Sequence, residues 1–395
     1  MKYDYLIIGG GIAGLTAAET IRKNDAGSIA IVGEELHLPY SRVLLPHYLK
    51  GKIDREKLFL RTKEDLREKK IDLILGKKAI ALDPEKKEIE ILGGEKISYE
   101  KLIIATGGRV KKWESNGSDK KNIFYLQTIG NADAIKEAMP NIKKAVVIGG
   151  GFIALEFLEI FSSLGIDTTL ICRGSYFFSR VLGEDGGDLL ARNFSRHGIN
   201  AIFSEEVREV TGEGEVSGVI TKSGQKLDCD AIGLGIGLEM NGSFSKSNGL
   251  KTDEGILTDQ YLTAGNKDIL VAGDVAQFFD PVFGRERVVG NWTNAFLQGQ
   301  AAGLNALGKK TEFKPVTSYS IANLGFNIIF IGETKNSSES LSRIDEAKEK
   351  YERIFLLGGR VVGAALINMP EDRKKIISLI ENRAAIKNFN NLDEA

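Results

Sequence analysis

The chain contains the stretch Ile8-Gly9-Gly10-Gly11-Ile12-Ala13-Gly14, and the same glycine pattern returns as Ile148-Gly149-Gly150-Gly151-Phe152-Ile153-Ala154. Each copy directly follows a short apolar run, as in the strand, tight turn and helix that hold the phosphates of a dinucleotide. The first glycine allows the turn, the second lets the backbone approach the phosphates, and the third position must be small for helix-on-strand packing. The phosphates then lie at a helix N-terminus, where free N–H groups and the helix dipole favour an anion. The chain is therefore expected to bind two dinucleotides, through Gly9, Gly11, Ile12, Ala13 and Gly14 and through Gly149, Gly151, Phe152 and Ile153.

Composition excludes several other classes. The 395 residues are enough for two or three domains of about 100 to 200 residues each. Lys and Arg number 53 against 54 acidic residues, so there is no basic field to attract nucleic acid or anionic lipid. Two cysteines, and an N-terminus that starts in a strand-like run with no signal-peptide pattern, predict a cytoplasmic protein. No apolar run approaches the ~18 residues that span a membrane, and the sequence indicates no metal site.

The order of apolar runs predicts the fold. Residues 2–34 are typical of one βαβ unit, a second unit begins at Lys143, and a buried strand returns at 269–272. Residues 66–92 alternate apolar and charged side chains, which predicts half-exposed strands. The expected fold class is α/β, with two Rossmann-like three-layer dinucleotide-binding domains, the second inserted in the first, and a small α+β C-terminal domain. The predicted boundaries are 1–112 with 245–312 for the first, 113–244 for the second, and 313–395 for the third.

The acid that follows each glycine pattern differs between the two copies. A carboxylate about 20 residues after the glycines hydrogen-bonds the adenosine ribose, and Glu34 occupies that place in the first copy. In the second copy Cys172 and Arg173 stand there instead, and Arg180 follows. An arginine can pair with a 2′-phosphate that a carboxylate would repel, which favours NADPH over NADH. The alternative is that both arginines are ordinary solvated charges.

Further motifs make a family resemblance specific over residues 1 to about 305. They are Ala105-Thr106-Gly107, the pair Ala154 and Glu156, Gly235-Ile236-Gly237 with Asn241, and Ala272-Gly273-Asp274. Together with the two glycine patterns, this ordered set resembles the pyridine nucleotide-disulfide oxidoreductase superfamily of flavoproteins. The resemblance implies FAD in the first site and NADH or NADPH in the second.

The resemblance also implies roles for individual residues. Asp274 would bind the ribityl chain and pyrophosphate of FAD, Arg42 would contact the pyrophosphate, and the helix from Trp292 would point at the flavin pyrimidine edge. Glu156 would lie near the nicotinamide and is the one candidate for a catalytic residue. Other contacts are expected with FAD from Ala79, Ala105, Thr106, Gly107 and Gly273, and with the nicotinamide nucleotide from Gly237 as well as Arg173 and Arg180.

The lack of cysteines near the first glycine turn narrows the branch of the superfamily that the chain resembles. No cysteine precedes Cys172, so the cysteine pair of the disulfide reductases is absent, and Val43 stands where single-cysteine members carry theirs. The segment Pro39–Pro46 instead resembles rubredoxin reductases, ferredoxin reductases of oxygenase systems and the flavoprotein part of nitrite reductases. In the oxygenase-type members a lysine near the flavin follows this segment, and His47 occupies its place here.

The expected function is transfer of electrons from NAD(P)H through FAD to an external acceptor, which is either a small redox protein, such as rubredoxin or ferredoxin, or a small molecule. Two other enzymatic roles stay open: an NAD(P)H oxidase that uses oxygen, and an electron-input subunit of a larger complex such as nitrite reductase. A flavin-dependent structural or regulatory protein is the non-enzymatic alternative. The sequence is compatible with a monomer or a homodimer.

Overall fold

The computed structural model describes residues 1–240, 249–335 and 337–390, which form two compact units. The first unit comprises Met1–Val43, Arg55–Arg109 and Glu239–Thr317, and the second comprises Leu44–Asp54, Val110–Leu238 and Ser318–Ala395. Short strands at Gly108–Val110 and Leu238–Met240 occur where the chain passes from one unit to the other. The predicted boundary at 244/245 and Asn241 lie outside the described residues, and the division into three domains stays a prediction.

The first unit is built on a seven-stranded sheet. Its strands, in spatial order, are Ile71–Leu75, Ile29–Gly33, Lys2–Ile8, Lys96–Ile104, Glu88–Ile91 and Ala79–Asp83, with Ile269–Val271 paired to Lys96–Ile104. The central strands are parallel, and their carboxyl-terminal halves are apolar and buried, as expected for strands covered on both faces. A second sheet contains Ile256–Thr258, Ala276–Asp280 and Arg285–Val288. The carboxyl ends of the parallel strands thus meet at one edge, which carries the first glycine turn.

Two helices of the first unit pack on each other through small residues. Helix α1 spans Ile12–Arg22 and helix α7 spans Trp292–Ala306. A Cβ on Gly299 would lie 2.4 Å from the Ala13 carbonyl oxygen, and one on Gly303 would lie 2.9 Å from that of Ala17. The two backbones therefore approach closely, which places the N-termini of both helices beside the sheet edge. A short helix α3 at Lys63–Glu68 and the 3₁₀ turns Arg42–Leu44 and Arg55–Leu58 complete the regular structure around it.

The second unit contains a five-stranded parallel sheet. Its strands, in spatial order, are Asn200–Phe203, Asp167–Cys172, Lys144–Gly149, Ala231–Gly235 and Ile123–Tyr125. Between Asn200–Phe203 and Ala231–Gly235 the chain forms a three-stranded antiparallel sheet of Val207–Thr211, Gly218–Thr221 and Lys226–Asp228. The helices are α2 at Leu45–Leu49, α4 at Ile129–Ala138, which leads into the 3₁₀ turn Met139–Asn141, α5 at Phe152–Ser163 and α6 at Glu184–Arg196.

The C-terminal part of the second unit is an antiparallel sheet. Its strands, in spatial order, are Ser318–Asn323, Phe326–Gly332, Arg360–Ile367, Lys350–Leu357 and Glu339–Asp345. Helix α8 spans Arg373–Glu381 after the 3₁₀ turn Pro370–Asp372 and buries Ile376, Leu379 and Ile380. The predicted α/β class with a C-terminal sheet is confirmed.

The expectation for residues 66–92 was partly wrong. Leu66 belongs to helix α3, which Thr62 and Asp65 start with a reciprocal capping box, and Ile71–Leu75 is a parallel strand of the main sheet. The half-exposed strands that were predicted are present at Ile71–Leu75, Ala79–Asp83 and Glu88–Ile91, and the last two pair antiparallel. The alternating pattern does not extend back into helix α3, whose start the capping pattern in the sequence already marks.

The close approach of α1 and α7 predicts that Gly299→Ala lowers the free energy of unfolding by about 1 to 3 kcal/mol, because the added methyl group meets backbone that cannot move aside. Thermal and urea unfolding measure this change. Gln300→Ala, at an exposed position of the same helix, is the control and should stay within about 0.5 kcal/mol of the parent. Equal stability of both variants would contradict the packing described.

Candidate dinucleotide sites

The first glycine turn is held by contacts that allow no side chain. Gly9 has a φ of +113°, and a Cβ there would lie 2.1 Å from the Ala105 carbonyl oxygen. A Cβ on Gly14 would lie 2.0 Å from the Gly9 carbonyl oxygen, so helix α1 starts against its own turn. Gly11, in contrast, has nothing within 4 Å of a built Cβ. The turn is thus closed toward the sheet and open on the face where phosphates would bind.

Three buried polar atoms of the first unit, on Thr106 and on helix α7, lack a hydrogen-bond partner in the described part of the chain. Thr106 Oγ1, Asn294 Oδ1 and Gln298 Nε2 are buried and form no hydrogen bond with the described residues. Gln298 Oε1 accepts a hydrogen bond of 2.8 Å from the Gly273 N–H, which connects α7 to the turn before Asp274. Buried polar groups that lack a partner are costly, so their clustering at this edge fits a polar ligand.

Asp274 lies next to Gly290, whose built Cβ is 3.6 Å from the Asp274 Cγ. Burial raises the pKa of its carboxyl group, and the positive charge of Arg42 opposes that shift. Arg42 is itself positioned by Glu35, which accepts hydrogen bonds of 2.7 Å from Arg42 Nη2 and from the Tyr40 hydroxyl. The structure therefore brings the predicted residues Arg42 and Asp274 into one electrostatic environment.

The predicted ribose acid has a partner that the sequence did not indicate. Glu34 accepts hydrogen bonds of 3.0 and 2.7 Å from Arg109 Nη2, and Lys78 Nζ lies 3.8 Å away. Arg109 follows Thr106-Gly107-Gly108, and its position in the motif was the only signal available. Sequence reasoning missed Arg109 and Glu35 because each acts through a contact with another side chain.

Two other predicted FAD residues occupy different surroundings. Trp292 is the first residue of α7, where the Asn291 side chain accepts a 2.8 Å hydrogen bond from the Asn294 N–H and caps the helix. Ala79 begins the strand Ala79–Asp83 and packs on the apolar core of the sheet. Their contacts with FAD stay predictions.

The second glycine turn repeats the construction of the first. Gly149 has a φ of +135°, and its built Cβ would lie 2.3 Å from the Gly235 carbonyl oxygen. Gly151 is open, as Gly11 is, and Gly237, with a φ of +100°, also has nothing within 4 Å of its built Cβ. Ala154 takes the third position, where a Cβ on Gly235 would lie 2.4 Å from the Ala154 nitrogen. Glycine at 235 thus compensates for alanine at 154.

The strand after helix α5, Asp167–Cys172, ends without a carboxylate. Cys172 is buried, and its Sγ is 2.7 Å from a Cβ built on Gly150. Arg173 and Arg180 are exposed, and neither forms an ion pair within 1–240, 249–335 or 337–390. The Glu205 N–H donates a 3.2 Å hydrogen bond to the Cys172 carbonyl. The Glu205 carboxylate accepts hydrogen bonds from the Ser223 hydroxyl and the Glu206 N–H, which lower its pKa to about 2.

Glu156 lies on α5, one turn after the second glycine turn. Burial raises the pKa of its carboxyl group to about 7, while Lys50 lowers it and Glu159 raises it. Phe152 and Ile153 begin the same helix. Ile153 is 36% exposed, whereas the Phe152 ring packs against Phe178 and Tyr319 at centroid distances of 4.9 and 4.4 Å.

Comparison with known proteins identifies the family. The model of pyridine nucleotide-disulphide oxidoreductases matches residues 3–299. The chain belongs to this family. The model of the rubredoxin NAD+ reductase C-terminal domain matches residues 318–384, which form the C-terminal sheet and helix α8.

Individual relatives match the chain over most of its length. Rhodocoxin reductase of Rhodococcus erythropolis is 29% identical, covering 93% of this chain and 87% of its own. NADH-rubredoxin oxidoreductase of Clostridium acetobutylicum is also 29% identical, covering 98% of this chain and 97% of its own. The crystal structure of the ferredoxin reductase for the CYP199A2 system from Rhodopseudomonas palustris has a TM-score of 0.91 at 26% identity and covers 97% of this chain and 96% of that chain.

Proteins of this family are oxidoreductases that use FAD and NAD(P)H, and the two glycine turns fit such a pair of dinucleotides. The disulphide chemistry in the family name has no counterpart here, since Cys172 and Cys229 are both buried, unpaired and part of the second unit. Burial raises the pKa of both thiols. Within the described ranges, no helix is long and apolar enough to cross a membrane, and no group of three or more His, Cys, Asp or Glu could hold a metal ion.

The position of Asp274 beside Arg42 predicts that Asp274→Ala loses FAD, because the variant removes the carboxylate that the turn presents. The ratio of flavin absorbance at ~450 nm to protein absorbance at ~280 nm measures cofactor content, which should fall by at least about tenfold after dialysis, as expected for loss of a charged hydrogen bond. Asp268→Asn is the matched control at the opposite end of the same strand, where Asp268 pairs with Lys87 and Lys101. A folded Asp274→Ala protein with full flavin content would refute the assignment.

Proposed function

We propose that this protein transfers electrons from NAD(P)H through FAD to a small iron protein of the rubredoxin or ferredoxin type. The observation that carries the proposal is the presence of two separately built glycine turns in a chain whose described cysteines are both buried and distant in sequence from the first turn. Electrons then have no cysteine relay by which to leave. The names of the relatives, which include a rhodocoxin reductase and a rubredoxin oxidoreductase, support an external iron protein as acceptor.

The first unit supplies the FAD site in this proposal. The N–H groups at the start of α1 bind the pyrophosphate together with Arg42, and Glu34 binds the adenosine ribose. Thr106, Asn294 and Gln298 contribute the polar atoms that otherwise lack partners. Asp274 binds the ribityl chain. When bound, FAD supplies the hydride-accepting and electron-carrying chemistry, and these residues fix its orientation.

The second unit supplies the nicotinamide nucleotide site. The N-terminus of α5 binds the pyrophosphate, with the open glycines Gly151 and Gly237 leaving room for it. Glu156 is placed toward the nicotinamide end of the nucleotide, and Arg173 and Arg180 toward the adenosine end.

Anaerobic stopped-flow spectroscopy tests the proposed function. NADH or NADPH should bleach the flavin in the absence of oxygen, and rubredoxin or ferredoxin should reoxidise it much faster than air-saturated buffer does. Faster reoxidation by oxygen would indicate an NAD(P)H oxidase instead. A flavin that neither nucleotide bleaches would point to a structural or regulatory role.

The missing strand-end acid makes NADPH the proposed nucleotide. Arg173 and Arg180 are exposed and form no ion pair with the described residues, so either could bind a 2′-phosphate. Several relatives are named for NAD+ or NADH, so the proposed preference for NADPH depends on Cys172, Arg173 and Arg180 of this chain.

Arg173→Glu should lower kcat/KM for NADPH by roughly 10 to 100-fold and change kcat/KM for NADH by less than about threefold, because a charge-assisted hydrogen bond contributes about 1.5 to 3 kcal/mol. Steady-state kinetics with both nucleotides measure the ratio. Lys226→Glu, an exposed charge reversal in the antiparallel sheet of the same unit, is the control. An equal loss with NADH and NADPH would refute the role in specificity.

A further inference from the structure

A partly buried group of charges lies on the face of α5 that follows the second glycine turn. Glu156 and Glu159 are three residues apart, so both carboxyl groups project from one face of the helix. Lys50, directly after α2, forms an ion pair with Glu159, and the side chains of these two residues are only 5% and 17% exposed. Two acids therefore share one cation in a poorly solvated place.

The cation is committed to Glu159. The Glu159 carboxylate also accepts hydrogen bonds from Asn323 Nδ2 at 3.4 Å and from the Leu324 N–H at 3.3 Å. Leu324 lies in the turn between Ser318–Asn323 and Phe326–Gly332, and its carbonyl accepts a 3.0 Å hydrogen bond from Asn193 of α6. Three donors thus contact the Glu159 carboxyl group.

Glu156 receives no such support. No described residue donates a hydrogen bond to its carboxyl group, and its charged neighbours are Lys50 and Glu159. On the strand packed against α5 the titratable group facing it is Tyr319, whose pKa is raised to about 12 by burial and by Glu156, so Tyr319 stays neutral. On α2, partial burial together with Lys50 and Lys52 lowers the pKa of His47, so it is neutral near pH 7. On α4, Asp133 accepts a hydrogen bond from the Tyr48 hydroxyl, and Lys136 covers the Tyr48 ring.

We propose that Lys50 is a positioning residue that acts through Glu159: by pairing with Glu159 it leaves Glu156 as a neutral acid that ionises when an oxidised, positively charged nicotinamide binds beside it. The inference rests on the proposed nucleotide site. In the proposed reaction, the nicotinamide would give its hydride, with the electron pair, to FAD, and the oxidised ring would be cationic. Glu156 then releases its carboxyl proton to solvent, and its carboxylate stabilises the positive charge.

Proton loss from Glu156 and binding of oxidised nucleotide should favour each other. A bound cation favours the charged form of Glu156, so oxidised nucleotide binds more tightly once that proton is lost. With a pKa of about 7 in the free protein, affinity for oxidised nucleotide should rise up to about tenfold between pH 6 and pH 8. Part of a proton should be released on binding near pH 7, and none at pH 8.5.

The test is isothermal titration calorimetry of the FAD-loaded protein with NAD+ and NADP+, in two buffers of different ionisation enthalpy. Tetrahydro-NADH and tetrahydro-NADPH, which have an uncharged ring and donate no hydride, are the matched ligands. They carry the same phosphates, so they should show no proton release attributable to Glu156 and a pH dependence that reports phosphate titration alone. The difference between oxidised and tetrahydro nucleotide isolates the ring charge.

Glu159→Gln should abolish the effect although Glu156 is untouched. Glutamine keeps an acceptor for the Leu324 N–H, while Lys50 is left with Glu156 as its carboxylate, so Glu156 is already ionised at pH 6. Affinity for oxidised nucleotide should then change by less than about twofold between pH 6 and pH 8 after the phosphate correction. Glu156→Gln should be equally flat because no proton is present to lose. Glu346→Gln, which removes an exposed partner of Arg192, should behave as the parent.

The outcomes separate the inference from the proposed function. A parent protein that binds neither nucleotide would refute the nucleotide site and the inference with it. A parent that binds oxidised nucleotide without proton release would overturn the inference alone. The parent pH profile persisting in Glu159→Gln would overturn the role of the Lys50–Glu159 pair, and its persistence in Glu156→Gln would overturn the role of Glu156.

Discussion

Backbone contact between neighbouring strand ends is the constraint on which both sites depend. Gly9 meets the Ala105 carbonyl and Gly149 meets the Gly235 carbonyl at distances that leave no room for any Cβ. Both glycines also have φ values above +110°, which other residues rarely adopt. Because the turn is pressed onto the adjacent strand, the following helix starts at the sheet edge with its free N–H groups outward. In the proposed sites the phosphates would bind these N–H groups, and the open glycines Gly11 and Gly151 would leave room for them.

The side chains near the two glycine turns differ between the two units. At the first site, an acid on the neighbouring strand and an arginine with an aspartate across the turn provide both charges. At the second, Cys172 fills the space beneath Gly150 with a thiol of raised pKa, so the strand end adds no negative charge of its own. A carboxylate in the position of Cys172 would place a negative charge at the adenosine end of the proposed site. The same backbone turn therefore occurs in both units, and the side chains around it differ.

Local patterns in the sequence predicted most of the regular structure. The glycine turns, the parallel strands before them and helices α1, α5 and α7 follow from apolar runs and from residues with a single backbone role. The error at 66–92 arose where helix α3 is followed directly by alternating strands, although Thr62 and Asp65 mark the start of that helix in the sequence. Contacts between distant residues were not predictable in this way. Arg109 is 75 residues from Glu34, and Lys50 is 109 residues from Glu159. Such pairs depend on the tertiary fold, which motif spacing does not encode.

The Lys50–Glu159 pair shows why these long-range contacts matter for chemistry. With two acids and one lysine in a poorly solvated region, only one of the acids can pair fully with the lysine. The other acid is then disfavoured in its charged form, since a buried charge without a partner is costly. The turn at Leu324 favours Glu159 as the paired acid by giving it two more donors, and this pairing determines which acid carries a proton near neutral pH. The C-terminal sheet, which has no glycine turn of its own, thereby influences a carboxyl group beside the second one. Its contribution to the site is electrostatic, and it acts through a hydrogen-bonded carboxylate.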